Sequence, residues 1–579
     1  MSVPGPFGCK GLQVRLDRGG MVTAQRRTST PAGVGELAAP ARRTGAPRAL
    51  FGRLTTADLG FAAVAASMVG WAWFLVFRHI GDAAPLSDEF TYFDAGWRYI
   101  TWDDDSQHPL PEALNFVHPP LAKLLFGLGQ LLSGEPSLAA ARAVSGVCTL
   151  LTAVVLGTFI GALSNRWAGL FAAGLLVVIP MQVEPQITSF HRAAMLDNVA
   201  QLFVMLSVVL AYWWFTTDVD RAPWLAVATG TAIGMATAAK ENGFLAVVGC
   251  WAVGFVLVAL RRQAVAARVV QSVLAAGASL VTFAACYLPF GTTAQRIETS
   301  IRFQWHHSSA GHLVDVAGHI APHQPWWSNF WFAAHSMGTV VTTAIVLLVA
   351  AAVLLGRNRV VGWLLSAMAG PIIFHSFVAG VTLPFYWVMW MPPVLGLAAI
   401  GAYDLYLLAS QLLSRRTSGR RGRPRVAVMG AVTLMVLAPF APAAYHHTVT
   451  VARLTPEAVI PLASLRIEHR LHGTILFDGV PPLETKYYLA GARAYFGFPQ
   501  RDTRFELAAV DTVVVGKARC EGGVEAAEKA LIAVNLADHR MTEIHADRLL
   551  TVYQVIAPLL VPTAAETASF HTDDRRIGC

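Results

Sequence analysis

The chain has 579 residues, of which 55% are hydrophobic and 14% are charged. A soluble protein of this length cannot bury so large an apolar share, so the composition excludes the soluble classes and indicates a polytopic integral membrane protein. The net charge of +8 does not indicate nucleic-acid binding, because the basic residues are gathered in short clusters between apolar runs, as in the loops of membrane proteins.

In chain order, the apolar runs predict about eleven transmembrane helices. A helix needs about 20 apolar residues to cross the hydrocarbon core of a bilayer. The runs of suitable length cover residues 59–77, 141–163, 168–184, 192–215, 223–239, 242–260, 268–290, 329–355, 360–380, 384–409 and 426–444. They predict an α-helical membrane domain over residues 56–444.

The arginines of the short loops predict the orientation of these helices. With the N-terminus in the cytoplasm, every basic cluster lies on the cytoplasmic side, where such residues are enriched. This requires the apolar segment 119–132 not to cross the membrane, so we interpret it as a re-entrant or interfacial helix that begins after Pro119-Pro120. The clusters are Arg42 to Arg53, Arg166, Arg261 to Arg268, Arg357 with Arg359, and Arg415 to Arg425. We expect a multi-pass protein of a bacterial plasma membrane.

The two flanks of the membrane domain differ in composition. Residues 1–55 are rich in Arg, Ala, Gly and Pro and predict a disordered basic cytoplasmic tail. Residues 445–579 contain strand-like runs and one run with helical spacing of apolar residues, so they predict a small extracytoplasmic α/β domain. The strand-like runs cover 473–479, 511–516 and 548–557, and the helical run covers 525–536. Whether Cys520 and Cys579 form a disulfide stays open, and no cysteine spacing indicates a zinc site.

The chain carries neither the glycine-rich phosphate loop of nucleotide-binding proteins nor a nucleophile elbow. A sugar donor would therefore be carried by a lipid phosphate and not by a nucleotide. Transfer from such a donor needs a carboxylate that takes the proton of the acceptor and cations that hold the departing phosphate, both at the membrane surface. The charged residues of the predicted outer loops are the candidates.

The first predicted outer loop, Arg78 to Val117, carries Asp88-Glu89 soon after the first span, and NFVHPPLAKLLFG, Asn115 to Gly127, follows at its end. This order resembles the front end of the protein O-mannosyltransferases and related lipid-phosphate-sugar glycosyltransferases, which have the GT-C fold. The resemblance implies that Asp88 is the general base and that Glu89 orients the acceptor or binds a cation. It also makes His118 and Lys123 candidates for binding the carrier phosphate or for holding the loop. The residues alone leave open a helix cap at His118 and a lysine that reaches the headgroup layer.

A second cluster, SFHRAAMLDN, begins the predicted fourth span and contains Arg192 and Asp197. An ionisable residue inside a span usually has a partner, and five positions of separation disfavour pairing within this cluster, so another span should supply contacts. The run is similar to the fourth-span region of the O-mannosyltransferases. The similarity implies that Arg192 contacts the phosphate or the first loop; a structural ion pair is the alternative.

A third cluster, GMATAAKENG, joins two short apolar runs and places Lys240 and Glu241 on the predicted outer side. A lysine there departs from the positive-inside pattern. The small residues around it leave room for a phosphate, and the resembling enzymes also carry a glycine-containing run that ends in lysine at this junction. We expect Lys240 to bind the phosphate, with Glu241 as its counter-charge.

The outer loop between the seventh and eighth predicted spans holds five histidines, including His323, and the turn PWWSNFW with Trp326 and Trp327. No histidine has the spacing of a known metal site, so we predict no metal. An interfacial aromatic belt explains the tryptophans equally well. Similarity to the mannosyltransferase loop implies weak candidates for the substrate pocket at His323, Trp326 and Trp327, as it does for Asp197 and Glu241.

These residues predict an inverting membrane glycosyltransferase that moves a sugar, mannose by resemblance, from a polyprenyl phosphate to a hydroxyl of a protein or an envelope glycan. No cofactor is required, although a divalent cation could assist at Asp88-Glu89; membrane lipids and the acceptor are the expected partners, and nucleic acid is not. A pentosyltransferase such as an arabinosyltransferase of the same fold is an alternative. A lipid-sugar transporter or flippase should show related halves, which the sequence lacks. A pseudoenzyme is disfavoured by intact Asp88, Arg192 and Lys240. Sugar identity and oligomeric state are not predicted.

Overall fold

The computed structural model describes the chain in segments. These are residues 55–82, 87–101, 114–182, 189–260, 264–291, 293–312, 314–356, 358–416 and 423–454, and, towards the C-terminus, 471, 473–478, 493–496, 510–516, 526–546, 550–561, 563 and 565. Residues 1–59 and 60–579 are two compact units. In the first, only residues 55–59 are described, where the Thr55 hydroxyl donates to Asp58 Oδ2 at 2.6 Å. The predicted tail and the Cys520–Cys579 pairing lie outside the described residues.

Sixteen α-helices occupy the described part of residues 55–454. They are α1 (Thr56–Phe77), α2 (Ser87–Thr101), α3 (Leu121–Ser133), α4 (Leu138–Leu163), α5 (Arg166–Val178), α6 (Leu196–Thr216), α7 (Pro223–Ala239), α8 (Leu245–Leu260), α9 (Val265–Ala285), α10 (Thr293–Ala310), α11 (Ser328–Met337), α12 (Thr339–Leu355), α13 (Val360–Ile373), α14 (Met391–Arg416), α15 (Arg423–Leu437) and α16 (Ala441–Ala452). Each of the eleven predicted spans contains at least one of them. The multi-pass membrane class is thereby confirmed.

The number of full-length spans is smaller than predicted. In the described segments, six helical stretches are long and apolar enough to cross a membrane, or up to eight if each of two bent pairs counts as one span. The pair α11 and α12 bends by 115° at Gly338, whose φ of 80° ends one helix and starts the next. The other pair, α15 and α16, bends by 54° around Pro439 and Pro442, where the backbone lacks donors. Hydropathy does not register such breaks, and it overestimates span length.

The contact between α2 and α3 depends on a pair of glycines. A Cβ added at Gly127 would lie 2.1 Å from the carbonyl oxygen of Gly96, and one at Gly96 would lie 2.5 Å from that of Lys123. Only hydrogen fits at either position, so the two backbones touch. This contact places the start of α3 beside α2, and both helices carry candidate site residues. As predicted, α3 begins directly after Pro119-Pro120.

The membrane domain is built around α6, which packs against α4, α7 and α8. Three large aromatic side chains, Trp214, Trp363 and Trp387, are completely buried there. α14 lies against α5, α12 and α13, and α7 lies against α9. This core fixes the ends of α6 and α7, from which two of the charged candidates project.

The C-terminal part contains the predicted α/β fold elements. The strands are β3 (Thr474–Asp478), β4 (Arg493–Phe496), β5 (Thr512–Gly516), β6 (Met541–Ala546) and β7 (Leu550–Val555), and α17 spans Ala526–Ala537. The sheet has the order β4-β3-β5-β7-β6. In it β3, β4 and β5 are parallel to one another, and β7 is antiparallel to both of its neighbours, β5 and β6. The three predicted strands and the helix are confirmed, while β4 and β6 were missed. A short hairpin, β1 (Val314–Val316) and β2 (His319–Ala321), lies between α10 and α11.

Candidate active site

The candidate residues meet at one end of the helix bundle. The C-terminal end of α1, the N-terminal ends of α2, α3 and α6, and the turn between α7 and α8 converge there. One wall is formed by α10, and another by the π-helical turn Phe374–Val378 that follows α13. Because packed helices carry these side chains, their positions are set by the core of the bundle.

Asp88 lies in the first turn of α2 and is partly exposed. Its carboxylate makes no hydrogen bond or ion pair with any residue that the structure describes. Its charge nevertheless acts on neighbouring groups. The pKa of Tyr92 is raised mainly by burial and, second, by the negative charge of Asp88. Burial lowers the pKa of His307, and Asp88 is among the charges that oppose this. Asp88 is therefore an unengaged carboxylate at the mouth of a largely buried site.

Glu89 is completely buried and fully engaged. The Arg142 guanidinium forms a bidentate ion pair with its carboxylate: Nε donates to Oε1 at 2.9 Å and Nη2 donates to Oε2 at 2.7 Å. The amide of Ala194 adds a third hydrogen bond at 2.5 Å. We therefore correct the expectation that Glu89 orients the acceptor or binds a cation, because its oxygens hold the start of α2 in place. Arg142 also donates to the carbonyl of Ile80 at 3.0 Å, so it ties α2 to the segment that follows α1.

Arg192 caps the end of α1. Its Nη1 donates to the carbonyl of Leu75 at 2.7 Å, and its Nη2 donates to the carbonyl of Arg78. Carbonyls of a last helical turn lack intrahelical donors, so a buried guanidinium satisfies them. Burial, and then the charge of Arg142, lower the pKa of Arg192 to about 10, with Asp82 acting in the opposite direction. The geometry agrees with a first-loop contact. Phosphate binding by Arg192 stays a prediction, because its buried Nε has no hydrogen-bond partner among the described residues.

Lys123 holds the loop that precedes α3. Its ammonium donates to the carbonyl and the side-chain oxygen of Asn115, the latter at 3.0 Å, and to the carbonyl of His118 at 2.9 Å. An ammonium has three donors, and these three acceptors use all of them. Lys123 is completely buried, so the structure favours loop holding over phosphate binding and over an extended lysine at the headgroups.

Lys240 and Asp197 form a buried ion pair. The ammonium at the end of α7 donates to Asp197 Oδ1 of α6 at 2.6 Å, and the two side chains are 4% and 1% exposed. The ammonium also lies 4.6 Å from the centre of the Tyr386 ring and 5.0 Å from that of Phe385. The expectation that another span supplies the partner of Asp197 is confirmed. The expectation that Glu241 is the counter-charge of Lys240 is corrected, because α6 brings a closer carboxylate.

Glu241 pairs instead with His118. Its Oε2 lies 3.3 Å from His118 Nδ1, and Gln304 of α10 approaches the same ring nitrogen at 3.2 Å. Burial alone would raise the pKa of Glu241, but His118 and Lys240 outweigh it and lower the pKa to about 2. His118 thus joins the loop before α3 to the α7–α8 turn and to α10. The cap alternative for His118 is replaced by this bridging role.

A cavity of about 150 Å³ adjoins these charges. It lies between the α7–α8 turn, α10 and the π-helical turn. Its walls are Glu241, Asn242, Phe244, Leu245, Gln304, His307, Ser308, Phe374, His375, Ala379, Val381 and Tyr386. The sequence interpretation missed Asn242, His375 and Tyr386, although a histidine within the apolar run 360–380 was a visible signal. It also missed Arg142, a charged residue within the apolar run 141–163.

The three weak candidates lie at the rim. His323 Nδ1 is 2.9 Å from the carbonyl of Gly380, next to a cavity wall. Trp326 is 58% exposed and lies parallel to Phe377, with ring centres 6.2 Å apart. Trp327 precedes the first turn of α11. Neither tryptophan lines the cavity. Within the described segments, no group of three or more His, Cys, Asp or Glu residues could hold a metal ion.

No protein-family model matches the sequence, and no curated protein matches it. Among solved structures, ArnT from Cupriavidus metallidurans in the apo state matches with a TM-score of 0.57 and 16% identity, over 86% of this chain and 98% of that one. The same protein bound to undecaprenyl phosphate matches with a TM-score of 0.55 and 16% identity, over 87% and 99%. An apo oligosaccharyltransferase from Archaeoglobus fulgidus gives 0.49 and 11%, over 79% and 69%. The chain has the fold of the GT-C membrane glycosyltransferases, as the resemblance implied.

Proposed function

We propose that this protein is a membrane glycosyltransferase that moves one sugar from a polyprenyl phosphate carrier to an acceptor hydroxyl on the outer face of the membrane. The observation that carries the proposal is the contrast at the start of α2, where Glu89 is fixed by Arg142 while Asp88 has no partner among the described residues. An unengaged carboxylate on a helix whose first turn is held in place suits a general base.

The proposed reaction is a single displacement. Asp88 accepts the proton of the acceptor hydroxyl, whose oxygen forms a bond to the anomeric carbon. The bond from that carbon to the phosphate oxygen breaks, its electron pair stays on the phosphate, and the configuration inverts. General bases contribute typically about 10²- to 10⁴-fold to such rates. No covalent intermediate with the protein is formed.

Lys240 is the proposed electrostatic support of the leaving phosphate. Asp197 accepts one of its three donors, and the rings of Phe385 and Tyr386 cover part of its surface. A phosphate oxygen that approaches the remaining donors would meet a desolvated cation, where the attraction is stronger than in water. Arg192 and Lys123 are not assigned to the phosphate in this proposal, because the two Nη atoms of Arg192 and the ammonium of Lys123 already donate to oxygens of the protein.

The proposed carrier is a polyprenyl phosphate. One solved protein of the same fold, ArnT, was obtained with undecaprenyl phosphate bound, which supports this class of lipid. Mannose is the proposed sugar through the resemblance of Asp88-Glu89 and NFVHPPLAKLLFG to the O-mannosyltransferases. A protein hydroxyl or an envelope glycan is the proposed acceptor, and arabinose is the alternative sugar.

The test is transfer of labelled sugar in membranes that contain the intact protein, Asp88→Asn or Asp94→Asn. Asp94 is the matched control, because it lies on the same helix but pairs with Arg98 at 3.0 Å away from the cavity. Polyprenyl phosphate mannose and polyprenyl phosphate arabinose are supplied in parallel. We expect label in the acceptor with the intact protein and the control, and none with Asp88→Asn.

The same assay separates the rival functions. Label that crosses the membrane on its lipid without reaching any acceptor would indicate a transporter. Transfer from the arabinose donor alone would replace mannose and leave the mechanism intact. Equal transfer by the intact protein and Asp88→Asn would contradict the assignment of the base.

A further inference from the structure

We propose that the cavity of about 150 Å³ binds the ring of the transferred sugar, and that Asn242 and His375 determine which neutral monosaccharide the enzyme accepts. This inference rests on the proposed function and adds to it the chemical class of the donor sugar. Asn242 directly follows the Lys240-Glu241 pair, and His375 lies outside the charged motifs that the sequence singles out. Both residues line the same cavity.

The cavity lies where a donor sugar has to lie. Tyr386 forms part of its wall, and the ammonium of Lys240, the proposed phosphate ligand, stands 4.6 Å from the centre of that ring. His307 forms another part of the cavity wall, and the charge of Asp88 acts on its imidazole. A ring bound between Tyr386 and His307 would therefore have the base and the phosphate site on its borders.

The size of the cavity suits a sugar ring. A volume of about 150 Å³ gives room for a pentose or hexose ring. The proposed donor therefore carries a monosaccharide in this cavity.

The charge of the walls limits the donor further. None of the cavity-lining residues is Lys or Arg, and the one charged group is the carboxylate of Glu241. A sugar acid would place a second negative charge beside Glu241, and no cation lines the cavity to compensate it. An uncharged sugar, which offers hydroxyls only, meets no such penalty.

Asn242 and His375 have the chemistry to recognise hydroxyls. Asn242 Nδ2 lies 3.1 Å from His375 Nε2, an arrangement in which the neutral imidazole carries its proton on Nδ1. His375 Nδ1 and Asn242 Oδ1 are buried and lack a hydrogen-bond partner among the described residues. Buried polar atoms without partners cost free energy. A small adjustment of the pair would offer one donor and one acceptor, which is what a hydroxyl needs.

The backbone around His375 is built for this position. His375 lies in a π-helical turn, Phe374–Val378, that follows a helix containing Pro371. Such turns are rare and are found frequently at functional sites. The Thr382 hydroxyl donates to the carbonyl of His375 at 3.0 Å and fixes the turn. The irregular turn thus places His375 at the cavity wall.

The test compares donors rather than variants alone. Detergent-solubilised full-length protein is assayed with polyprenyl phosphate mannose and with donors that lack one hydroxyl at the 2, 3, 4 or 6 position. His375→Phe keeps a ring and removes both nitrogens, and His335→Phe is the matched control, because His335 stacks on Trp331 outside the cavity. We expect kcat/KM for the parent donor to fall roughly tenfold to a hundredfold in His375→Phe. For one deoxy donor it should stay unchanged, so that discrimination at that hydroxyl is lost.

A second variant guards against a general defect in folding. Ala379→Leu adds apolar volume at the cavity wall, and it should raise KM for the sugar-bearing donor while bare polyprenyl phosphate still raises the thermal midpoint as in the intact protein. An equal loss for all donors in His375→Phe, or the same loss in His335→Phe, overturns the subsite. If the intact protein transfers no sugar from any donor, the proposed function itself fails.

Discussion

The two sides of the site are built on opposite principles. The saturated side consists of three cations around α1, α2 and α3: Arg142 donates to Glu89 and Ile80, the two Nη atoms of Arg192 donate to two carbonyls, and Lys123 donates to three oxygens. The unsatisfied side consists of Asp88 on α2, which makes no hydrogen bond or ion pair in the described part of the chain, and of Asn242 and His375 on the cavity wall, which keep buried atoms without partners there. The saturated side holds the backbone, and in the proposed function the unsatisfied side meets the substrate.

This difference teaches how charge in a motif should be interpreted. Asp88 and Glu89 are neighbours in sequence and have the same chemistry, yet one is partly exposed and the other is completely buried in a bidentate ion pair. A carboxylate whose oxygens accept hydrogen bonds from an arginine and a backbone amide positions a helix, and the carboxylate beside it is the proposed acceptor of the substrate's proton.

The largest effect is expected from a substitution on the saturated side. Arg142→Ala leaves Glu89 buried without its cation, and loss of one partner of a buried pair costs about 3–5 kcal/mol. We expect a much lower thermal midpoint in detergent and loss of transfer together with the fold. Arg98→Ala, which breaks a half-exposed pair on the same helix, should change the midpoint little; a normal midpoint in Arg142→Ala would contradict the saturated role.

Lys240 sharpens the comparison, because it belongs to both sides. Lys240→Met removes the proposed phosphate support, and loss of one such group costs about 10²- to 10³-fold in kcat. It also leaves Asp197, which is 1% exposed, without its ion-pair partner. The double variant Lys240→Met/Asp197→Asn should regain stability without regaining activity, as measured by thermal unfolding and initial rates. Recovery of activity in the double variant would show that Lys240 is only structural.

A smaller effect is expected from the pair of Glu241 and His118. The pKa of Glu241 is lowered to about 2 from the ordinary value of 4.5, so its contribution to stability is complete above about pH 4.5. That contribution should be lost as the pH falls towards 2, because the carboxyl then takes up a proton in the folded protein too. In Glu241→Gln the thermal midpoint should fall less over this interval than in the intact protein. Identical pH curves would contradict the pairing.

The smallest effect is expected at the rim. Trp326 lies outside the cavity and stacks on Phe377 at the surface. Trp326→Ala should change kcat/KM by less than about threefold, in the range of surface substitutions within ±0.5 kcal/mol. A larger loss confined to KM would move Trp326 from the aromatic belt to the substrate pocket.

The sequence could predict what depends on local order. Apolar runs located the helices, and strand-like runs located three strands, while the placement of the site at Asp88-Glu89 stays a prediction. Pairing could not be predicted, since it joins distant residues: Glu89 and Arg142 are 53 positions apart, and Lys240 and Asp197 are 43 apart. The contacts of Arg192 and Lys123 could not be predicted for the same reason, because their carbonyl acceptors carry no sequence signature.

The cavity depends on contacts between residues that are far apart in the sequence. Asn242 and His375 are 133 positions apart, and His375 lies in the π-helical turn Phe374–Val378 that follows α13. Hydropathy interprets that segment as one uniform apolar span. A single histidine in such a run is the only trace that the sequence shows.

The central claim is that Asp88 acts on the substrate while Glu89 acts on the fold. The most direct test measures sugar transfer and the thermal midpoint side by side for Asp88→Asn and Glu89→Gln. We predict that Asp88→Asn loses transfer by about 10²- to 10⁴-fold at an unchanged midpoint, and that Glu89→Gln lowers the midpoint. Transfer retained by a folded Asp88→Asn, or a stable Glu89→Gln that is selectively inactive, would contradict the account.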